Sequence, residues 1–196
     1  MNDKNENASI DEKAHMVGPY TIDISEINME GKILDIGGGG EGIIGQLKKE
    51  KVIAIDKKKS ELEEAKDTGY LKIIMDAKDL KFLDDTFDTV TAFFSLMYVP
   101  AKDHKIIFQE IRRVLKEGGE FLLWDVNMPE KSNQSKNFFG IYLNVQISDK
   151  LIETGYAVRW IRRKDAKYYK EIAQNIGFEI IEQKIEKDIF FIRFKI

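Results

Sequence analysis

The architecture of this chain is set by residues 33–42, which read Ile33-Leu34-Asp35-Ile36-Gly37-Gly38-Gly39-Gly40-Glu41-Gly42. An apolar run ends in an acid, and a dense glycine cluster follows at once. This order is typical of a strand-to-helix turn, where glycine lets a ligand approach the backbone closely. The amide groups that open the next helix then face a polar or anionic group. Apolar residues on both sides of the cluster disfavour a flexible linker. We therefore predict a loop that binds a nucleoside cofactor.

Composition limits the remaining possibilities. The chain has 196 residues, of which 43% are hydrophobic and 11% aromatic, which suits a single α/β domain with a full core. Cysteine is absent and histidine occurs twice, so we expect no disulfide, no thiol catalysis and no metal site. The first residues are polar and acidic, and no apolar run approaches the ~18 residues that span a bilayer. We therefore expect a cytoplasmic protein without a membrane partner.

Apolar strand-like runs alternate with helical patterns along the first two thirds of the chain. The predicted strands are residues 32–36, 52–56, 71–75, 89–94 and 121–126, and the helices between them are residues 41–50, 60–66 and 103–116. Gly118-Gly119 is predicted to end the last of these helices. Such alternation favours a parallel sheet with right-handed crossovers.

The two ends of the chain depart from this rhythm. A short helix over residues 9–16, stopped by Gly18-Pro19, is predicted in the N-terminal segment. Residues 141–147 and 155–161 alternate as an inserted hairpin. A helix over 164–175 then precedes strands 178–186 and 189–196, whose short connection requires antiparallel pairing.

These patterns predict a Rossmann-like α/β fold. Its seven-stranded, mostly parallel sheet would carry helices on both faces, an inserted β-hairpin after the fifth strand and a C-terminal antiparallel hairpin. Within one domain we expect a lid or helix segment in 1–30, a cofactor-binding core in 31–126, an acceptor-side insertion in 127–165, and the final helix and hairpin in 166–196.

Acidic residues stand at the carboxyl ends of the first three predicted strands of this core. They are Asp35, Asp56 and Asp76. Ligands on open parallel sheets bind at that edge. There a carboxylate at Asp56 can accept hydrogen bonds from both ribose hydroxyls, and one at Asp76 can pair with an exocyclic amine. Together with the glycine loop, the three acids predict a single nucleoside site.

At this point the chain resembles the class I S-adenosylmethionine-dependent methyltransferases, and within them the small, type 11-like methyltransferase domains. The resemblance covers about residues 31–126. Five segments carry it: Leu34-Asp35-Ile36-Gly37-Gly38-Gly39, Val52-Ile53-Ala54-Ile55-Asp56, Met75-Asp76-Ala77, Phe87-Asp88-Thr89-Val90 and Arg113-Val114-Leu115-Lys116-Glu117-Gly118-Gly119.

The resemblance implies S-adenosylmethionine as the cofactor. The glycine loop would pass under its methionine moiety, Asp56 would hold the ribose, and Asp76 with Ala77 would hold the adenine. The implied cofactor-binding residues are Asp35, Gly37, Gly38, Gly39, Asp56, Lys57, Asp76, Ala77, Phe94, Ser95 and Met97. The chain departs from the family pattern at Glu41, where a third glycine is frequent, and has Gly42 instead.

The acceptor of the methyl group is not identified by any motif. We expect a small or medium-sized molecule, and the candidate contacts are Tyr20, Tyr98, Trp124, Asn127 and Tyr156. No catalytic residue is assigned, because a base is needed only if the acceptor arrives protonated. A basic run at residues 159–170 leaves nucleic acid open as a partner, although such runs are usually solvated faces. The oligomeric state stays open.

Two alternative functions remain at this stage. Gly37-x-Gly39-x-x-Gly42 with Asp56 formally satisfies the fingerprint of an NAD-dependent oxidoreductase. The acid two residues before the first glycine and the antiparallel C-terminal hairpin argue against it. A non-catalytic S-adenosylmethionine-binding module is the other possibility, because a fold does not establish activity. Asp88 is expected to be structural, and His104 to lie exposed at the start of a helix.

Overall fold

The structure is a computed structural model that describes residues 13–131 and 135–196. The strands are β1 (Ala14–Asp23), β2 (Ile33–Ile36), β3 (Val52–Asp56), β4 (Leu71–Ile74), β5 (Phe87–Phe93), β6 (Leu115–Val126), β7 (Phe138–Ile147), β8 (Lys150–Arg159), β9 (Glu179–Ile185) and β10 (Ile189–Lys195). The α-helices are α1 (Ile43–Lys48), α2 (Lys59–Glu64), α3 (Ala101–Val114) and α4 (Ala166–Ile176). Short 3-10 turns lie at Lys49–Lys51 and Leu96–Tyr98.

The larger sheet has seven strands in the order β4-β3-β2-β5-β6-β10-β9. Strands β2 to β6 pair in parallel, and β10 runs antiparallel to both β6 and β9. Strand order reverses beside β2, which joins β3 on one side and β5 on the other. The predicted Rossmann-like sheet with its C-terminal antiparallel hairpin is thereby confirmed.

Burial explains why these segments form central strands. All four residues of β2 are buried, and β5 is buried except at its second residue. Parallel strands covered on both faces require such continuous apolar runs. One hydrophobic cluster joins the sheet to α3 and α4, and a second joins its other face to α1 and to β7. The sheet is therefore the middle layer of the molecule.

A second, three-stranded sheet has the order β1-β7-β8. The antiparallel pair β7-β8 is the predicted inserted hairpin, and it begins earlier and is longer than the sequence indicated. Its buried face includes Phe139, Ile141, Leu143 and Val145, which pack into the same cluster as α1. This sheet covers one face of the larger sheet.

The predicted N-terminal helix is wrong over residues 14–16, which belong to strand β1, whereas Lys13 is helical as predicted. The first part of that prediction, residues 9–12, lies outside the described residues. β1 pairs in parallel with β7, and its register shifts between Val17 and Tyr20, around Gly18-Pro19. Gly18-Pro19 therefore interrupts a strand where a helix stop was expected. Long-range pairing outweighed the local capping signal.

The prediction that Gly118-Gly119 ends a helix is also wrong. Helix α3 ends at Val114, and the chain enters β6 directly at Leu115. Gly118 has φ of 73° within that strand, and its amide donates to the Ile196 carbonyl at 3.1 Å. The pair therefore meets the C-terminus of the described chain and does not end the helix.

No α-helix within the described ranges is long and apolar enough to cross a membrane.

Candidate active site

A cavity of about 350 Å³ opens at the carboxyl ends of β2, β3, β4 and β5. This is the edge of the sheet where ligands of open parallel folds bind. The residues predicted to bind the cofactor that line the cavity are Asp35, Gly37, Gly38, Gly39, Asp56, Lys57, Asp76, Ala77, Phe94 and Ser95. Met97 is fully buried and does not line it.

The glycine loop is held against strand β3. The amides of Gly37 and Gly38 both donate to the Ile55 carbonyl, at 2.8 and 3.1 Å. Gly37 has φ of 71°, and a Cβ there would clash with Ser95 Cβ. Glycine is therefore required at this position both for its backbone angle and for the close approach of the segment after β5.

Asp35, the third residue of β2, lies beneath this loop. Its side chain is buried, and Oδ1 accepts a hydrogen bond of 2.7 Å from the Thr91 hydroxyl. Burial raises the pKa of Asp35 to about 7, against the opposing effect of the Thr91 hydrogen bond. Burial therefore disfavours the charged form of this carboxyl, and a cationic or hydrogen-bond donor group bound in the cavity would stabilise it.

Asp56 and Asp76 stand at the ends of β3 and β4. Each carboxylate accepts a hydrogen bond from the amide two residues on, Lys58 at 2.8 Å and Lys78 at 2.9 Å. One carboxylate oxygen of each residue is thereby fixed by the backbone, which orients the group toward the cavity. Partial burial raises the pKa of Asp56 from its ordinary value. Three carboxylates from three adjacent strands thus line one cavity.

Aromatic and hydroxyl side chains form the opposite wall. Phe94 has φ of 48°, its amide donates to the Trp124 carbonyl at 2.9 Å, and its ring stacks on Tyr156 with centroids 5.7 Å apart. The Ser95 hydroxyl donates to the Ile36 carbonyl at 2.6 Å. A non-glycine residue held at positive φ marks a backbone that its surroundings constrain.

Glu41, the departure from the family pattern, has a clear structural role. Its Oε2 accepts a hydrogen bond of 3.0 Å from the Tyr156 hydroxyl, and its Oε1 accepts one from Thr154. Both partners lie on β8. Burial, with Glu41 as a neighbouring negative charge, raises the pKa of Tyr156 well above its ordinary value. Glu41 therefore connects the glycine loop to the three-stranded sheet through hydrogen bonds to β8.

The five acceptor candidates divide into two groups. Tyr98 and Tyr156 line the cavity, and burial raises the pKa of Tyr98 to about 12. Tyr20, Trp124 and Asn127 do not line it. Tyr20 donates to Asp188 at 2.5 Å, Trp124 stacks on Phe191 in the core, and Asn127 bonds the Lys187 carbonyl.

Sequence reasoning missed two acidic residues that line the cavity and a buried histidine close to it. Glu61 and Asp103 line it from α2 and α3. His104, expected on an exposed helix start, is fully buried and contacts Tyr168 at 2.8 Å and the Leu96 carbonyl at 3.0 Å. Burial lowers the pKa of His104 to about 4, so it is neutral. The sequence did contain a signal for this burial: His104 is three and four residues before Ile107 and Phe108, so the three side chains share the apolar face of the helix.

Asp88 has the structural role that was expected. It accepts a hydrogen bond of 2.8 Å from the Lys32 amide and pairs with Lys116 at 2.7 Å. These contacts hold the pKa of Asp88 below its ordinary value. The residue joins the start of β2 to the start of β6, at the edge of the sheet opposite the cavity.

Comparison with known proteins also indicates a methyltransferase. A family model described as a methyltransferase domain matches residues 34–123. The ubiquinone/menaquinone biosynthesis C-methyltransferase of Idiomarina loihiensis is 25% identical over 183 residues, which covers 83% of this chain and 72% of that protein. The demethylmenaquinone methyltransferase of Bacillus subtilis is 36% identical over 80 residues, covering 39% of this chain and 34% of that protein.

A solved structure shares the fold over nearly the whole chain. The S-adenosylmethionine-dependent methyltransferase from Methanosarcina mazei superimposes with a TM-score of 0.65 and 19% identity, covering 89% of this chain and 98% of that one. The fold, the glycine loop and the three carboxylates thus define a site for a nucleoside cofactor at the carboxyl edge of the sheet. Residues 34–123 match a methyltransferase domain, and the comparisons support S-adenosylmethionine as its cofactor.

The residues present fit that cofactor. A Cβ at Gly38 would lie 2.5 Å from Asp35 Oδ2, so only glycine keeps the space above this carboxylate open. The cavity volume of about 350 Å³ falls within the range of small-molecule sites. Acidic groups suit the hydroxyl and amino donors of a nucleoside and its amino acid moiety.

Proposed function

We propose that the chain methylates a small molecule and that the cavity beside the glycine loop is its cofactor site. The observation that carries this proposal is the convergence of Asp35, Asp56 and Asp76 on one cavity. In it, Asp56 accepts hydrogen bonds from the ribose hydroxyls and Asp76 receives the adenine amino group. Asp35 and the amides of the glycine loop orient the methionine end.

The bound cofactor supplies a methyl group on a sulfonium, which is an already activated leaving group. The work of the protein is then to align the acceptor with that methyl group and to exclude water. Phe94 and Ser95 form the floor of the cavity, and Tyr98 and Tyr156 narrow its mouth. The Tyr156 hydroxyl donates to Glu41, and the Tyr98 hydroxyl, whose pKa is raised, remains protonated at neutral pH.

The acceptor in this proposal carries a flat group. The nearly parallel rings of Phe94 and Tyr156, inclined by 14°, provide an aromatic wall on which such a group can stack. The names of the relatives from Idiomarina loihiensis and Bacillus subtilis refer to quinones. A demethylated quinone is therefore the first acceptor to test.

The experiment measures transfer of a labelled methyl group from S-adenosylmethionine to a demethylated quinone and to a panel of small aromatic acceptors. Thermal shifts with S-adenosylmethionine and with NAD are recorded on the same protein. A ligand at 100 times its dissociation constant stabilises a fold by about 2.7 kcal/mol. We expect a shift with S-adenosylmethionine alone; stabilisation by NAD alone would contradict the proposal.

A further inference from the structure

A second cavity, of about 480 Å³, lies beside the proposed active site. It is formed where the start of α3 meets the segment that follows β8. Its charged lining is entirely basic, and consists of Lys102, Arg159, Arg162 and Lys164. Pro100 lines both cavities, so the two sites adjoin at the N-terminus of α3.

Three of the four basic side chains of this cavity lack acidic partners in the described part of the chain. Among the described residues, Lys102, Arg159 and Arg162 form neither an ion pair nor a hydrogen bond through their side chains. The neighbouring cations are paired: Arg163 lies 3.3 Å from Asp165, and Lys167 lies 3.9 Å from Glu171. The basic run of residues 159–170 is thus split between a paired set and a set that faces the cavity.

Lys164 is fixed in position at the base of this cavity. Its Nζ donates to the carbonyls of Met97 and Val99, at 2.8 and 2.7 Å. Burial lowers the pKa of Lys164, while Asp125 in the core, which does not line the cavity, favours the charged form. The ammonium therefore joins the second cavity to the segment after β5, which forms the floor of the first.

The start of α3 adds further positive potential. This helix has 14 residues, and Pro100 and Ala101 at its N-terminus line the cavity together with Tyr168. No side chain caps the first amides of the helix. Helix N-termini attract anions, and arginine side chains bind phosphate and carboxylate groups in a bidentate manner.

We propose that the second cavity binds an anionic group, a phosphate or a carboxylate, carried by the methyl acceptor. This inference rests on the proposed function, because it places the reacting end of the acceptor in the first cavity. Within that function it favours an aromatic acceptor that carries an anionic group over a neutral quinone. The adjoining position at Pro100 lets one small molecule reach both. A concave site favours a compact anion over nucleic acid, since Arg163, Lys167 and Lys170 of the basic run each contact an acidic or amide side chain outside the cavity.

Calorimetric titration with inorganic phosphate and with malonate tests the site directly, at constant ionic strength set with sodium chloride. The variant is Arg159→Gln/Arg162→Gln. The control is Arg163→Gln/Lys167→Gln, which loses the same charge outside the cavity. We expect saturable binding of one probe or both, weakened about tenfold or more in the variant and within about twofold in the control. The probe that binds more tightly shows whether the cavity prefers a phosphate or a carboxylate group.

Absence of saturable binding for both probes, or an equal loss in both double variants, would overturn the anion site. S-adenosylmethionine is titrated against the same proteins. If the cofactor binds all three proteins equally while neither anion binds, the inference fails and the proposed function stands. If the cofactor does not bind the wild-type protein, the proposed function itself fails.

A second readout concerns the acceptor. Labelled methyl transfer to a small-molecule cell extract is followed by separation of the product on an anion-exchange resin. We expect a retained, anionic product whose yield falls about tenfold in the Arg159→Gln/Arg162→Gln variant and is maintained in the control. A neutral product made equally well by both double variants would overturn the assignment of the anion to the acceptor.

Discussion

The Tyr156 hydroxyl donates a hydrogen bond of 3.0 Å to Glu41 Oε2, and this contact joins the glycine loop to strand β8. The two residues are separated by 115 positions in the sequence. Tyr156 also stacks on Phe94, and both rings line the cavity. The cofactor loop, the covering sheet and the floor after β5 are thereby held together at one point. An acidic side chain at position 41 replaces the flexibility of a glycine with a fixed connection.

We predict that Glu41→Ala and Tyr156→Phe are strongly coupled. Glu41→Ala leaves the hydroxyls of Thr154 and Tyr156 without their acceptor, and each such loss costs about 1–3 kcal/mol. Tyr156→Phe keeps the ring and removes one of these donors. Urea denaturation of both single variants and the double variant should give a coupling free energy of about 1 kcal/mol. Strict additivity would show that the contact contributes nothing.

We predict that Asp56→Ala weakens S-adenosylmethionine binding and leaves the fold intact. Hydrogen bonds to a charged group contribute about 1.5–3 kcal/mol each, so the affinity should fall by at least about tenfold. Calorimetric titration of the folded variant measures this. Asp67→Ala is the matched control, because Asp67 also accepts a hydrogen bond from the amide two residues on, at 3.1 Å, but lies outside the cavity. Equal affinities in the two variants would refute the assigned role.

We predict that Asp35→Asn changes how stability depends on pH. Because the folded pKa of Asp35 is raised to about 7, the folded protein holds this proton at pH values where the unfolded chain has released it. The free energy of unfolding therefore decreases as pH rises from about 4 to about 7. Asparagine cannot titrate, so the variant should gain stability relative to the wild-type protein over this window.

The size of this effect is at most about 1.4 kcal/mol per pH unit. Denaturant unfolding at several pH values gives the difference between the two proteins, which cancels the other titrating groups. Asp79→Asn, which removes an exposed carboxylate, serves as the control for the loss of one charge. A difference for Asp35→Asn that does not change with pH would contradict a raised pKa of the folded carboxyl.

For His104 we predict the opposite slope. Burial lowers its pKa to about 4. Between about pH 6.5 and pH 4 the imidazole is therefore protonated in the unfolded chain and neutral in the folded protein. The free energy of unfolding then falls as pH falls from about 6.5 to about 4. The stability gap between His104→Gln and the wild-type protein should narrow over this window. Unfolding of both proteins at pH 7, 6 and 5 measures the gap, and an unchanged gap would argue for an accessible imidazole.

The core of the fold could be predicted because its signals are local. Strand β3 was placed from its β-branched run, and the residues from Asp35 to Ala77 that line the cavity follow strand ends that can be read directly from the sequence. At a parallel sheet, neighbouring strands bring their carboxyl ends to one edge, so local motifs suffice to assemble a site.

The errors arose where distant pairing decides the structure. The N-terminal segment that includes residues 14–16 carried a helix-capping pattern, yet β1 is held by β7, more than a hundred residues away. Glu41 was noted only as a departure from a motif, since its partners on β8 are brought close by the second sheet. Trp124 and Asn127 were acceptor candidates without a motif, and the structure packs Trp124 against Phe191 and bonds Asn127 to the Lys187 carbonyl.

The most direct measurement is a crystal structure of the protein with S-adenosylhomocysteine, the demethylated form of the cofactor. We expect the ribose hydroxyls within about 3 Å of the Asp56 carboxylate, the adenine beside Asp76 and Ala77, and the amino acid end above Asp35 and the glycine loop. A ligand bound elsewhere, or in this cavity with its ribose beyond hydrogen-bonding distance of Asp56, would contradict this expectation.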